Sequence, residues 1–378
     1  MKITFPHMGS LWIPLKGLFN DLGFEVVPPP PVTKRAITLG ARHSPEFACL
    51  PFKINVGNFI ESLEQGADTI VMGGGCGPCR FGYYAQVEKE ILLDLGYNFE
   101  MIVIEPPQGN LIEWLGRLRL FGNNCHWREI TAALLLAWHK IKVIDRLHRL
   151  LLWARPRGSA EKITNIYNEY LTKVDQAQNL KLLKKVDQDA QQALKKVVYN
   201  KHKQCLRIAL VGEIFMLLEP FVNLNIEQVL GERGVEVERS IYLSDWIRDH
   251  ILSDPRRIRA RNRFKKAARP FLNHFIGGHG WESIGESVLY AERGFDGAIH
   301  ILPFTCTPEI VAQSILPRIS KCYDFPIVSF SLDEHSGLGG FITRLEAFLD
   351  LLSSKKIKHG TRWDKPCAVF SLDTLWYN

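Results

Sequence analysis

Several common classes are excluded by what the chain lacks. No charge-free apolar run is long enough to cross a bilayer; the longest, near Ala132 to Trp138, is far too short. The opening residues, Met1-Lys2-Ile3-Thr4-Phe5-Pro6, carry no apolar core of a secretory signal. Neither a Walker A pattern nor GxGxxG occurs, so ATP binding through those motifs is not expected. Excess charge of one sign is slight: a net charge of +7 over 378 residues does not by itself imply nucleic acid. One dense basic run exists, Arg256, Arg257, Arg259, Arg261, Arg263, Lys265, Lys266 and Arg269. It holds one aromatic, Phe264, and no recognised nucleic-acid motif; it could touch a phosphate-bearing partner or nucleic acid, and reads first as a solvated helix face. These absences lead to the expectation of a soluble, cytoplasmic protein with no membrane or nucleic-acid partner.

Apolar residues and cysteine are well supplied. At 46% apolar, the chain has material for two ordinary domains and an insertion. Eight cysteines in a cytoplasmic protein are poor candidates for structural disulfides, because that compartment keeps thiols reduced. The pattern around them therefore matters more than their number.

Residues 1–127 alternate strand and helix signals. Strands are expected at Lys2 to Phe5, Glu25 to Val27, Asp68 to Met72 and Phe99 to Ile104, with helices at Leu11 to Leu22, about Val56 to Glu64, and Tyr83 to Leu95. Such alternation argues for a parallel sheet covered by helices on both faces. Residues 128–205 change character. Leu134, Trp138, Ile141, Ile144, Leu147 and Leu151 recur at helical spacing, and a second stripe runs from Ile163 to Val197. They read as a long helical hairpin inserted between two lobes. From residue 206 to 353 the α/β signal returns, with strands at Ile208 to Val211, Val235 to Val237, Gly297 to Leu302 and Pro326 to Phe330. Residues 354–378 form a tail with no assignable element. The fold class is thus α/β, two Rossmann-like lobes with parallel sheets joined by the helical hairpin.

A short internal repeat links the lobes. Gly66-Ala67-Asp68 precedes the strand leading to Cys76, and Gly294-Phe295-Asp296 precedes the strand leading to Cys306. Leu22-Gly23-Phe24-Glu25-Val26 likewise matches Arg233-Gly234-Val235-Glu236-Val237. Cysteine loops would then lie at the carboxyl ends of parallel strands, where open sheets bind ligands.

The stretch Gly73-Gly74-Gly75-Cys76-Gly77-Pro78-Cys79-Arg80 is the chemical centre of the sequence. Two thiols sit on a glycine turn between a strand and a helix, where helix amides favour thiolate. They could chelate one metal centre, act as a dithiol redox pair, since Cys-Gly-Pro-Cys is the thioredoxin tetrapeptide, or be plain thiols. Cys49 and Cys306 lie in proline-rich loops; each taken singly reads equally as a small core residue, and with Cys76 and Cys79 they make a candidate four-thiolate set, Cys49, Cys76, Cys79 and Cys306. An iron–sulfur cluster or zinc would accept these donors. Cys125, Cys205, Cys322 and Cys367 lack this context; Cys125, in a polar loop, is the reserve ligand. Gly277-Gly278-His279-Gly280 could be an anion-binding loop or a plain turn.

Several motifs together resemble one family. They are Ala48-Cys49-Leu50-Pro51-Phe52-Lys53, Gly75-Cys76-Gly77-Pro78-Cys79-Arg80-Phe81-Gly82, Val211-Gly212-Glu213-Ile214, Leu302-Pro303-Phe304-Thr305-Cys306-Thr307-Pro308-Glu309, and Asp333-Glu334-His335-Ser336-Gly337 followed by Thr343-Arg344-Leu345-Glu346-Ala347-Phe348. The chain is similar to the iron–sulfur component of 2-hydroxyacyl-CoA dehydratases, within it to the "CoA protein activase"-related proteins, and to the double-cubane cluster proteins. The likeness covers most of both α/β lobes, roughly residues 1–125 and 206–352. It implies a [4Fe–4S]-type cluster between them, low-potential electrons from an actin-like ATPase activator, and a homodimer. Four cysteines on one cubane imply electron relay. An open iron would imply a dehydratase-like lyase or reductase acting on an acyl-CoA or a small reducible substrate. A double-cubane [8Fe–9S] cluster would need Cys125 or Cys322 as well. A zinc-stabilised scaffold without redox activity is the reading from another class.

Overall fold

Two parallel four-stranded sheets carry the chain, and both have the same strand order. The computed structural model describes residues 1–75, 78–105, 126–250 and 255–359, with backbone alone at 255–261 and 358–359. The chain divides into two compact units, formed by the described parts of Met1–Lys201 with Leu243–Ile251, and of His202–Tyr242 with Leu252–Asn378.

The first unit opens with β1 (Lys2–Thr4), α1 (Trp12–Asp21), β2 (Glu25–Val26), α2 (Lys34–His43), α3 (Leu50–Glu64), β3 (Thr69–Gly73), α4 (Tyr84–Asp94) and β4 (Glu100–Ile104). Its sheet runs β2-β1-β3-β4, with Ile3 beside Val26 and Thr69, and Val71 beside Ile102. Helix α2 is absent from the sequence reading. Thr33 starts it: its backbone is extended and its hydroxyl accepts the Ala36 N–H at 3.3 Å. Helix α3 begins at Leu50 with Pro51 in its first turn, not at Val56. Every residue from Leu50 to Ser62 is buried, polar Lys53, Asn55, Asn58 and Glu61 included, so polarity does not mark an outward face for periodicity to detect. Helices α2 and α3 meet backbone to backbone. A Cβ at Gly40 would lie 1.6 Å from the Lys53 carbonyl oxygen, and one at Gly57 would lie 1.8 Å from that of Ala36.

Three helices follow instead of a two-helix hairpin: α5 (Trp127–Ala154), α6 (Ala160–Gln176) and α7 (Leu180–Lys196). The long second stripe breaks between α6 and α7, where the Asn179 side chain accepts the Leu182 N–H at 2.9 Å and restarts the helix. At the start of α5, the Glu129 carboxylate reaches back to the His126 N–H at 2.9 Å, a capping box. Leu147 and Leu151 of α5, Ile163 and Val174 of α6, and Ala190 and Leu194 of α7 share a core with Ile13 of α1.

The second unit contains β5 (Arg207–Gly212), α8 (Ile214–Leu218), α9 (Ile226–Glu232) and β6 (Glu236–Arg239). The chain then supplies α10 (Leu243–His250) to the first unit, where the Ser244 N–H donates to Asp145 at 2.6 Å and Arg149 pairs with Asp245 at 2.6 Å. The second unit resumes with α11 (Pro255–Ala268), α12 (Gly280–Glu292), β7 (Gly297–Pro303), α13 (Thr307–Cys322), β8 (Ile327–Leu332) and α14 (Leu338–His359). Its sheet runs β6-β5-β7-β8. The basic run, all but Arg269, lies on α11, where Phe264 and Ala268 are buried and Arg263 and Lys266 are exposed.

The internal repeat is structural. Asp68 accepts the Lys2 N–H at 2.7 Å, and Asp296 accepts the Arg207 N–H at 2.7 Å. Each aspartate thereby ties the third strand of its sheet to the start of the first. The glycines before them, Gly66 and Gly294, both have positive φ, +94° and +71°, which a side chain would oppose. Among the described residues no helix is long and apolar enough to cross a membrane.

Candidate functional site

In the first unit, Cys49 is the N-cap residue of α3 and Cys79 that of the short 3₁₀ turn Arg80–Tyr83, which runs directly into α4. Both have extended backbone and neither side chain caps its own helix. Exposed amides at a helix start favour negative charge, and therefore an ionised sulfur. The Cys49 sulfur is buried and hydrogen-bonded to the Tyr84 hydroxyl. Edges of Phe52 and Phe81 meet the Tyr84 ring at centroid distances of 5.1 and 5.2 Å. The Arg80 guanidinium donates to the Phe47 carbonyl at 2.8 Å, tying the segment of Cys79 to that of Cys49.

One turn after Tyr84 on α4 lies Glu88, fully buried. Burial pushes its carboxyl up to about 8, against the opposing pull of Asn55 on α3. It is therefore a neutral acid at pH 7.

In the second unit, Cys306 is the N-cap residue of α13, again with extended backbone, and Pro308 sits in the first turn. Thr305 before it has φ +69°, a strained conformation for a β-branched residue. Gly280 packs on that first turn, since a Cβ there would lie 2.3 Å from the Pro308 carbonyl oxygen. This places the Gly277–Gly280 turn against α13. Beneath the loop, His300 of β7 and Glu309 of α13 are both fully buried, with Nε2 2.8 Å from Oε2. The other ring nitrogen lies 3.1 Å from the Ser329 hydroxyl. Glu213 caps α8 by accepting the Met216 N–H at 3.1 Å. Burial pushes its carboxyl up to about 7, and the charge of Glu309 adds to the rise.

Cys49, Cys79 and Cys306 thus share one local setting, the N-cap of a helical segment. Cys76, like Cys125 and Cys367, lies outside the described residues. Cys306 belongs to the second unit. Among the described residues no group of three or more His, Cys, Asp or Glu is placed to hold a metal ion. Cys322 ends the helix that Cys306 begins. At 1.5 Å per residue the two lie about 24 Å apart, which removes Cys322 as a further ligand beside Cys306. Tyr84, Glu88 and His300 escaped the sequence reading. His300 had a usable signal, being the one ionisable residue in the apolar run of β7; the contact of Tyr84 with Cys49 is tertiary and had none. No protein-family model and no curated protein matches the chain.

Proposed function

We propose that the chain is a redox protein that binds a [4Fe–4S]-type cluster through thiolates and takes low-potential electrons from an ATP-dependent activator. The observation that carries this reading is the shared N-cap setting of Cys49, Cys79 and Cys306. Helix starts stabilise thiolates, the form that ligates iron, and offset the negative charge of a cluster. In support, Cys49 and Cys79 come from segments joined through Arg80 and Phe47, and the glycine turn leading to Cys76 carries a further thiol by sequence. The Cys49 sulfur is buried against the Tyr84 hydroxyl, and Phe52 and Phe81 pack on the Tyr84 ring. A cluster held there would supply one-electron chemistry. The resemblance noted in the sequence supports the same assignment.

Purification without oxygen, with iron and sulfide quantified and the visible spectrum recorded, tests the proposal. A brown protein with about four irons per chain is the expected result. Cys76→Ser should lose most of the iron, and full iron content in that variant would overturn the assignment. Colourless protein carrying zinc would replace it with a structural metal. Cys306→Ser shows whether the second unit contributes a ligand.

A further inference from the structure

The positive charge of the chain is concentrated in one place. The segment from Pro255 to Arg269 holds eight arginines and lysines and no aspartate or glutamate, a charge of +8 in a chain whose net charge is +7, so the remainder is close to neutral. Cations three and four residues apart on a helix, such as Arg259 with Arg263 and Arg263 with Lys266, repel one another and weaken it. The chain nevertheless folds all of them but Arg269 into α11 and holds that helix firmly. A Cβ at Gly285 of α12 would lie 2.2 Å from the Phe264 carbonyl oxygen, and Ala268 is buried in a core with Phe271 and Ile284. On the outside, Arg263, Lys266 and Arg269 are exposed. Helical register puts positions 256 and 259 on the same face as 263 and 266. At the carboxyl-terminal end of the helix, Arg318 of α13, also exposed, lies over the Phe271 ring at 5.6 Å. Phe275 is exposed there too, beside Trp281, whose ring carries the Lys265 ammonium at 5.2 Å. Among the described residues no carboxylate pairs with Arg263, Lys266, Arg269 or Arg318; Arg269 donates to the neutral Asn273 at 3.1 Å.

We propose that this face binds single-stranded nucleic acid, with its cations on phosphates and Phe275 stacked on a base. A phosphate backbone requires only charge. The expectation of no nucleic-acid partner rested on the lack of a recognition motif, and a backbone contact needs none. Six of the eight cations are arginine, whose planar fork donates two parallel N–H bonds to one phosphate. A protein partner would be held by an apolar centre in the contact, whereas Phe264 and Ala268 of α11 are turned into the core. A bilayer would need more to insert than the one ring of Phe275. A cationic track with an exposed aromatic beside it suits a single strand, because every base has a face to stack and none need be read. The inference uses no residue of the cysteine site and stands apart from the redox reading.

Fluorescence anisotropy of the full-length protein with two labelled strands of about twenty nucleotides and unrelated sequence, between about 50 and 200 mM salt, tests it. Both strands should bind with similar affinity. The logarithm of the binding constant should fall against that of salt with a slope of about −3, from four cations at about 0.7 each. Replacing three of them together, Arg263→Gln, Lys266→Gln and Arg269→Gln, should reduce that slope by about 2. Phe275→Ala should weaken binding about tenfold and leave the slope unchanged. Absence of binding by the wild-type protein at the lower salt would overturn the proposal without recourse to any variant. So would a slope that the triple variant, shown to be folded by circular dichroism, leaves untouched. Tighter binding to phosphatidylserine vesicles or to polyglutamate than to the strands would assign the face to a membrane or an acidic protein and overturn it equally.

Discussion

Glu88 shows what a single buried carboxyl does to stability. Its folded-state value is about 8 against an ordinary 4.5, so between those values the folded chain binds more protons than the unfolded one. The stabilising contribution is complete below 4.5 and is lost as pH rises through about 8. Denaturant titrations should therefore show stability falling as pH rises from 4.5 to about 8, and Glu88→Gln should make the fall shallower. An identical pH profile in the variant would show that the carboxyl is not held neutral. Tyr84 offers a second test at this scale. Tyr84→Phe keeps the ring between Phe52 and Phe81 and removes only the hydroxyl that meets Cys49. The expected cost is about 1 kcal/mol by chemical denaturation. Faster alkylation of Cys49, read by mass spectrometry, should accompany it.

At the level of elements, the α2–α3 contact is the most demanding. Two glycines allow each helix to press against a carbonyl of the other. Gly57→Ala should destabilise by roughly 2–4 kcal/mol, because backbone and not a flexible side chain must yield. A change below about 0.5 kcal/mol would mean that the helices separate without penalty. This pair also marks where the sequence was legible and where it was not. Strands such as Thr69–Gly73 and Gly297–Pro303 announce themselves as continuous apolar runs, as buried parallel strands do. Helix α2 was hidden behind the four prolines from Pro28 to Pro31, and the start of α3 was hidden because a helix buried all round shows no stripe. The break at Asn179 was masked by a hydrophobic stripe that continues in register across it. In the candidate site, the cysteines could be picked out by glycine and proline around them. Their helix-start setting follows from prolines two residues after Cys49 and Cys306. The partners Tyr84 and Glu88 depend on how α4 packs on α3, and single-chain spacing does not encode that.

For the molecule as a whole, the two sheets repeat one design down to the aspartate that clips the third strand to the first. Asp296→Asn is expected to weaken that clip, since the carboxylate also pairs with Lys356 at 2.9 Å. A loss of about 1–2 kcal/mol, measured by denaturant unfolding, is expected. The units are not consecutive in the chain, however. Helix α10 belongs to the first unit but is encoded after two strands of the second. On the ribosome, the Asp145 and Arg149 side chains must wait for residues 244 and 245 before they find their partners. Completion of the amino-terminal half is therefore delayed until much of the other half has been synthesised, and a gene cut at the apparent midpoint would leave the first product permanently missing a piece.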